Sequence, residues 1–424
     1  MKRICKFVLC GIAFLALANI ACVRKAPLPE EKDFLKVQGK DIVDSKGNKF
    51  YIKGTNLGNW LNPEGYMFGF SKVNSARMIN EALCQLVGPT KAAQFWQSFK
   101  DNYITESDFR FIASEGANTV RVPFHYKLFT NEDYMGLNDA QEGFRRLDSC
   151  VSWAKRNNLR LILDMHDCPG GQTGDNIDDS YGYPWLLTDS VAQKQFINIW
   201  GEIARKYSDE DVILGYELAN EPVATYWEGE ERAYLNSELE PLYKRVVAEI
   251  RKSDPNHIIL LGGPQWNSYF GNFTDSKFDG NIMYTCHRYG GDATPEAIRS
   301  YIEFRDSVGL PMYMGEIGHN TEEWMNNFVK VMRDNNIGYT FWPYKKIEDS
   351  SMTGVSTPAG WEKVVAFVEA PRSSYSQIRE ARSLCSQEEG EEMLRQFVEN
   401  SRAEKMLKHE GYINAIDLKN ENHK

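Results

Sequence analysis

Two glutamates in this sequence end apolar segments. Residues 212–221 read VILGYELANE and residues 311–316 read PMYMGE, so Glu221 and Glu316 each close a run that is apolar enough to be a buried strand. Pro222 cannot continue a β-ladder, which places Glu221 at a strand end. A carboxylate in such a position is either paired structurally or used in chemistry. Two of them can divide the roles of proton donor and nucleophile between them.

Further polar side chains stand at the ends of other apolar segments. Each alone has an ordinary structural explanation, such as a satisfied core histidine or a closed ion pair. Their coincidence at strand ends instead favours one shared site. These residues are Asn56, Arg121, His166, Asn220, His287, Tyr289 and Trp342.

The elements that position these residues alternate along the chain. Strand-like segments end at Asn56 and recur at 118–123, 159–166, 212–221, 257–261, 282–287, 311–316 and 337–342. Helical patterns lie between them at 106–115, 141–157, 191–206, 239–251, 295–307 and 322–335, and only the link after the fifth strand lacks a long one. Eight such repeats predict an α/β fold, a single (β/α)8 TIM barrel. A doubly wound open sheet is disfavoured because no GxGxxG or GxxxxGK[ST] motif follows a strand.

In a parallel barrel the carboxyl ends of all strands meet at one mouth. Glu221 on strand four and Glu316 on strand seven would then face each other, which is the equipment for hydrolysing a glycosidic bond. A separation of about 5 Å would give retention of anomeric configuration. We expect Arg121 and Tyr289 beside Glu316, where a cation and a phenol stabilise its charged form. Asn220 could donate a hydrogen bond to a sugar 2-hydroxyl, and Trp342 could form the base of the site by stacking on the sugar ring.

Composition and the N-terminus indicate where the protein works. The formal net charge of -10 argues against a nucleic-acid-binding surface. The start, MKRICKFVLCGIAFLALANIAC, joins basic residues to an apolar stretch too short to span a bilayer, which predicts an export signal at 1–22. Its end resembles a bacterial lipoprotein cleavage box with Cys22 as the lipidated residue. The alternative is a simple secretory signal cut near Ala21. We expect an exported, periplasmic or cell-surface lipoprotein of a bacterial outer membrane.

The rest of the chain is divided by composition. Residues 23–40 are predicted to be a tether, 41–369 the catalytic domain, and 370–424 a helical extension with no assigned chemistry. A hairpin is expected where 42–43 and 50–52 flank the turn 45–48. Once the signal and Cys22 are set aside, an odd number of cysteines remains, so at least one is free: Cys84, Cys150, Cys168, Cys286 and Cys385.

No metal or cofactor is expected. The sequence has no CxxC pair and no paired-histidine motif of the kind that structural zinc sites use. A metal-dependent barrel hydrolase built on Asp164, His166, His257 and His287 is the alternative enzyme class, and the single D-x-H motif at 164–166 argues against it. A chelator titration distinguishes a metal-independent glycosidase from a metal-dependent hydrolase.

Three longer motifs resemble a known family. They are GTNLGNWLNPEG at 54–65, ITESDFRFIASEGANTVRVPFHY at 104–126 and LDMHDCPGGQTG at 163–174. With LANEP around Glu221 and MGE at Glu316, they resemble glycoside hydrolase family 5, most closely its exo-acting β-1,3-glucanase and β-glucosidase branch, over residues 54–342. The resemblance implies a retaining barrel glycosidase without a cofactor, acting on β-linked glucan oligo- or polysaccharides in their catabolism, and we expect a monomer.

Carried over residue by residue, the resemblance implies roles for particular side chains. Glu221 would be the acid/base and Glu316 the nucleophile. Glu64 and Asp178 would wall off a pocket for a terminal sugar. Supporting roles are implied for Arg121, His166, Asn220, His287, Tyr289 and Trp342.

Two departures from the family pattern bear on the substrate. The loop after the third strand is longer around 175–177, and 66–86 is an insert that could reshape the pocket. The resemblance to the exo-acting branch makes exo action the expectation, with a cellulase-like endo-β-glucanase as one alternative. A catalytically inactive glycan-binding lipoprotein on a cell surface is the other.

Overall fold

A closed barrel of eight parallel strands forms the centre of the protein. The computed structural model describes residues 32–347 and 350–420, so the predicted signal and Cys22 lie outside the described residues. The barrel strands follow one another in chain order and close where the last pairs with the first. They are β3 (Lys53–Asn56), β4 (Thr119–His125), β5 (Arg160–Asp167), β6 (Ile213–Glu217), β7 (Ile258–Gly262), β8 (Ile282–Arg288), β9 (Met312–Gly318) and β10 (Gly338–Trp342). The predicted (β/α)8 barrel is confirmed.

The strands form because their residues are apolar on both faces and are buried between the barrel interior and the surrounding helices. The close approach of β3 to β4 also requires a glycine. Gly54 on β3 pairs with Thr340 on β10, and a Cβ on Gly54 would lie 1.8 Å from the Thr119 carbonyl oxygen of β4. Only a residue without a side chain lets these strands approach at that point.

Helices cover the barrel and the remaining strands lie outside it. The helices are α1 (Ala76–Val87), α2 (Pro89–Asn102), α3 (Glu106–Ser114), α4 (Glu142–Asn157), α5 (Ser190–Tyr207), α6 (Gly229–Ile250), α7 (Pro264–Asn267), α8 (Arg299–Val308), α9 (Glu322–Asp334), α10 (Trp361–Glu369), α11 (Tyr375–Ala381), α12 (Gln387–Ser401) and α13 (Glu410–Ala415). The link after β7 contains only the four-residue turn α7. The prediction that this link lacks a long helix is therefore confirmed.

The two ends of the barrel are closed differently. The short ribbon of β1 (Lys36–Gln38) and β2 (Asp41–Val43) lies at the N-terminal end, where Leu35 and Ile42 pack on apolar residues inside the barrel. The predicted hairpin at 42–52 forms with little regular pairing. The Asp44 N–H donates to the Asn48 carbonyl at 2.9 Å across its turn, and the Phe50 N–H donates to the Ile42 carbonyl at 2.8 Å. Val43 and Lys49 form only an isolated bridge, and β2 pairs regularly with β1 instead.

At the other end, the loops after the strands form the mouth. The 66–86 insert folds as a 3-10 turn, Gly65–Phe68, followed by α1. Beyond the barrel, β11 (Lys345–Ile347), β12 (Thr353–Val355) and β13 (Leu407–Lys408) make a small sheet. Phe397 of α12 stacks on Phe68 and Trp361, so the C-terminal helices share the main core.

Among the described residues, no helix is both long enough and apolar enough to cross a bilayer. The five cysteines that remain after the predicted signal are all unpaired thiols. Cys168 and Cys286 are fully buried next to the mouth, and burial raises the pKa of both thiols. They are therefore inert packing groups.

Candidate active site

A fully buried arginine organises the mouth of the barrel. Arg121 extends from the middle of β4 and has no solvent exposure. Its guanidinium donates to oxygens of four residues at 2.7–3.0 Å, and it forms an ion pair with Asp164 at 3.0 Å. The four acceptors are Asn56, Glu217, Asn220 and Glu316. A guanidinium that donates two hydrogen bonds to one carboxylate, as Arg121 does to Glu217, fixes the positions of its partners and favours the ionised form of the carboxylates.

Glu316 on β9 is held by two donors. Arg121 Nη1 donates to its Oε1 at 2.7 Å, and the Tyr289 hydroxyl donates to its Oε2. Burial raises the pKa of Glu316, while Arg121 and the Tyr289 hydroxyl oppose that rise. The predicted neighbours of Glu316 are therefore both in contact with it, and both favour its ionised form.

Glu221 does not lie within a strand, contrary to the predicted segment 212–221. β6 ends at Glu217, and Glu221 stands four residues later with a left-handed φ of 47°. Left-handed backbone is costly for a residue with a Cβ and persists only where the surroundings impose it. Here Gln172 imposes it, because its Nε2 donates to the carbonyls of Asn220 at 2.9 Å and His166 at 2.6 Å.

His287 on β8 contacts the Glu221 carboxylate. Its Nδ1 lies 2.8 Å from Glu221 Oε1, and its Nε2 lies 3.1 Å from the Asn267 side-chain amide nitrogen. Burial lowers the pKa of His287 well below its ordinary value, so the ring is neutral. Because Asn267 donates to Nε2, the ring proton is on Nδ1 and is donated to Glu221.

A second neutral histidine orients Asn220. Asp164 accepts from His166 Nδ1 at 2.7 Å, which leaves His166 Nε2 to accept from Asn220 Nδ2 at 3.2 Å. Burial lowers the pKa of His166 to about 4. With its oxygen bound to Arg121, Asn220 keeps one N–H free to donate into the pocket. Trp342 stacks on the His166 ring at 5.1 Å and forms the pocket floor.

These groups surround a small pocket with a cavity volume of about 170 Å³. That is below the roughly 300–1,000 Å³ of clefts that hold drug-sized ligands, and it suits a compact ligand such as one sugar ring. Glu64, Asp178 and both candidate catalytic glutamates line it, together with Tyr289. The structure thus brings every predicted barrel-mouth residue to one place, with Asn56, Arg121 and His287 beneath the lining.

The two predicted wall carboxylates differ in what they contact. Glu64 is buried, its Oε1 has no hydrogen-bond partner, and burial raises its pKa well above the ordinary value. It can bind a ligand hydroxyl directly. Asp178 instead accepts from its own loop, at 2.7–3.0 Å from Gln172 N, Thr173 N, Thr173 Oγ1 and Ser180 N. Its carboxylate therefore shapes the pocket wall.

Several residues of the site were missed from the sequence. Glu217, the last residue of β6, and Tyr313 on β9 complete the charge network below the pocket. Asp167 lines the pocket with an unpartnered Oδ2, and burial raises its pKa well above the ordinary value. Glu217 carries a signal that could have been used, because it lies within the predicted apolar segment 212–221, and a buried acid needs a partner or a function.

The geometry of the two glutamates decides what chemistry they can perform. One side-chain oxygen of Glu221 and one of Glu316 lie within 4.8 Å of each other, with His287 between them. Inverting hydrolases need about 6.5–9.5 Å between carboxyls to admit a water, and retaining ones about 5–5.5 Å. Burial and the neighbouring Glu316 carboxylate raise the pKa of Glu221 well above its ordinary value. The surroundings thus favour a proton on Glu221 more than on Glu316, whose ionised form Arg121 and Tyr289 stabilise.

The alternative metal site is not assembled. His257 lies at the other end of the barrel, where its Nδ1 contacts Asp254 at 2.5 Å and its Nε2 contacts the Glu210 carbonyl. It cannot join Asp164, His166 and His287 at the mouth. Glu221, His287 and Glu316 are close enough to share an ion, but the Nδ1 proton of His287 is already engaged with Glu221.

Comparisons with known proteins identify the family of the chain. The family model described as cellulase (glycosyl hydrolase family 5) matches residues 80–347. A β-xylosidase of Phanerodontia chrysosporium is 30% identical over 76% of this chain and 73% of its own. Endoglucanase C of Acetivibrio thermocellus is 25% identical (58% of this chain, 86% of its own), and glucan 1,3-beta-glucosidase I/II of Saccharomyces cerevisiae is 30% identical (59% and 58%).

A solved structure shares the fold. The catalytic domain of a Thermobifida fusca endoglucanase superposes with a TM-score of 0.50 at 19% identity, covering 85% of this chain and 97% of that one. The extent of the family match and the β-xylosidase alignment establish the relationship. The chain belongs to glycosyl hydrolase family 5 and is a glycoside hydrolase.

Proposed function

We propose that the protein hydrolyses β-glucosidic bonds by double displacement with retention of anomeric configuration. The observation that carries the proposal is the pair of buried carboxylates, with oxygens within 4.8 Å and unequal surroundings. Glu316, held ionised by Arg121 and Tyr289, attacks the anomeric carbon. Glu221 donates its proton to the leaving oxygen, and a glycosyl ester on Glu316 results.

The second step reverses the roles. Glu221, now ionised, takes a proton from water as that water attacks the anomeric carbon and releases Glu316. Positive charge develops on the ring in both transition states. Asn220 then donates to the 2-hydroxyl, a contact that strengthens in the transition state. His287 keeps the Glu221 carboxylate oriented through both steps, because its Nδ1 proton contacts Oε1 at 2.8 Å.

We propose exo action on β-glucans or β-glucosides. The small cavity and the unpartnered Glu64 oxygen at its wall support a pocket that holds one terminal ring. The similarity to glucan 1,3-beta-glucosidase I/II points the same way. Endo action remains the second candidate because Endoglucanase C aligns with 86% of its own length. The β-xylosidase relative adds xylosides to the sugars worth testing.

The test is a panel of aryl β-glycosides and linkage-defined oligosaccharides, with NMR of the first-formed anomer. We expect β-anomer and single sugars released from the non-reducing end. Mixed oligomers would replace exo by endo action, and α-anomer would refute double displacement. Glu316→Gln should lower kcat by orders of magnitude with the fold intact. Wild-type protein that binds β-glucans without turnover would instead be a non-catalytic binding protein.

Azide separates the roles of the two glutamates. Glu221→Ala should regain activity with azide on an activated aryl glucoside and give the β-glucosyl azide, because azide replaces water after the ester forms. An α-azide would make Glu221 the nucleophile.

We also propose that the chain is exported and lipidated at Cys22 at a bacterial outer membrane. The basic start, the short apolar stretch and the cleavage-box likeness of 18–22 support this. Labelled palmitate should be incorporated by the wild type and lost in Cys22→Ser, with the protein moving from the membrane to the soluble fraction. Equal labelling of both proteins would refute lipidation at this residue.

A further inference from the structure

A second groove lies beside the mouth, formed by elements that the catalytic site does not use. One wall is the first half of α6, and the other is the loop after β7 that contains α7. Its cavity volume is about 830 Å³, several times that of the catalytic pocket. The two sites share no lining residue, although Thr225 in the groove follows Glu221 by four positions on the same loop.

The lining of this groove is neutral and rich in hydrogen-bonding groups. Amide and hydroxyl side chains dominate it, no carboxylate is among its lining residues, and Arg232 is its one charged member. That is unusual in a chain with a net charge of -10. The catalytic pocket, in contrast, has carboxylates in several of its walls. Side chains that both donate and accept match the hydroxyls of a neutral sugar.

Two features of the lining point to a ligand. Both polar atoms of the Asn272 side chain are buried without a hydrogen-bond partner, and such groups require one. Tyr269 is 46% exposed, and its ring lies across Gly271, where a Cβ would come within 2.4 Å of the hydroxyl. A flat aromatic ring held in place beside amides offers a sugar ring an apolar face next to polar partners.

The walls are held in a fixed shape. Asn236 on α6 and Gln265 on the loop exchange two hydrogen bonds at 2.8 and 3.3 Å, and each keeps an amide proton to donate. Gln265, Trp266 and Asn267 all have left-handed φ, between 56° and 60°. This strain is retained because Asn267 is bound to His287, the ring that contacts Glu221. The groove is thereby fixed relative to the catalytic pair.

We propose that this groove is an accessory binding site for a neutral β-glycan chain, with Tyr269 as a stacking platform and Asn236 and Gln265 as donors. The inference rests on the proposed function, since it supplies the glycan. The bound segment belongs either to the chain being cleaved or to a neighbouring chain of the same polysaccharide. The chemistry of recognition is the same in both cases.

Binding is tested without turnover in the Glu316→Gln background. Affinity electrophoresis with soluble β-glucan and xylan should show about tenfold weaker binding when Tyr269→Ala or Asn236→Ala is added. Tyr375→Ala is the matched control, because Tyr375 begins α11 and is 81% exposed. Unchanged binding of both polysaccharides in both groove variants would overturn the proposal. Equal weakening by Tyr375→Ala would overturn it as well.

Kinetics of Tyr269→Ala with Glu316 intact identify the source of the chain. A loss of kcat/KM that grows with oligosaccharide length, with aryl glycosides unaffected, assigns the groove to the chain being cleaved. Weaker polysaccharide binding with unchanged oligosaccharide kinetics assigns it to a neighbouring chain. A wild type without turnover on any glycoside refutes the proposed function alone, because the binding measurement needs no catalysis.

Discussion

Removal of one hydroxyl tests how the site holds its nucleophile ionised. Tyr289→Phe deletes the phenol that donates to Glu316 Oε2 and leaves the bond from Arg121 to Oε1 in place. A hydrogen bond to a charged group contributes about 1.5–3 kcal/mol. At about 1.36 kcal/mol per pKa unit, its loss raises the pKa of Glu316 by about 1–2 units. Burial already raises that pKa, so the change adds to an existing shift.

The direction of the pH effect follows from the role of Glu316. Attack requires the ionised carboxylate, so activity is lost as the pH falls through the pKa of Glu316. A raised pKa therefore moves the acid limb of the kcat/KM profile to higher pH, by about 1–2 units. The two glutamates titrate as a pair, and the lower apparent pKa of the pair sets this limb. The alkaline limb reports the loss of the Glu221 proton.

The assay is a pH series of kcat/KM on an aryl β-glucoside. Tyr66→Phe is the control, since its hydroxyl accepts from Trp342 Nε1 at 2.7 Å in the same pocket and makes no bond to Glu316. Its acid limb should stay at the wild-type pH. If Tyr289→Phe lowers the plateau and leaves the acid limb in place, Tyr289 acts on the substrate. The reasoning about the charge of Glu316 would then be refuted.

Three further results are expected. Asp178→Ala should raise KM about tenfold with a smaller change in kcat, because the carboxylate shapes the pocket wall; a change confined to kcat would contradict this. Lys345→Met should lower the free energy of unfolding in urea by about 3–5 kcal/mol, since it leaves the fully buried Asp108 without its cation. Lys363→Met, which breaks the exposed pair with Glu389, should leave the free energy of unfolding almost unchanged. Similar losses in both variants would contradict the burial argument. A chelator should leave kcat unchanged, and a loss restored by a divalent ion would favour a metal-dependent mechanism.

The barrel was predictable because its signal is local. Strands buried on both faces read as continuous apolar runs, and their alternation with helical patterns leaves few folds to choose from. The candidate glutamates were recognisable for the same reason, since each follows such a run. The turn of the 42–52 hairpin formed, but its regular pairing did not, because the regular partner of a strand depends on which segment lies nearby in space. β1 supplied that partner from upstream.

The contacts of Arg121 could be predicted only in part. Its closeness to Glu316 followed from two strand ends that meet at one mouth. Asp164 lies on β5 and Glu217 on β6, and their contact with Arg121 depends on the register across the barrel. A shift of one residue would turn each side chain to the opposite face. No local pattern encodes that register.

The sequence by itself determined the fold class, the family resemblance and the residues at the strand ends, because periodicity and short motifs are properties of neighbours in the chain. The tertiary structure decided three other matters. It placed Glu221 beyond β6, in left-handed backbone. It bound the Asp178 carboxylate to backbone groups of its own loop and left Glu64 Oε1 without a hydrogen-bond partner. It also brought one oxygen of Glu221 and one of Glu316 within 4.8 Å of each other. Distances and unequal burial arise only when distant segments pack together. These quantities set which carboxylate holds the proton.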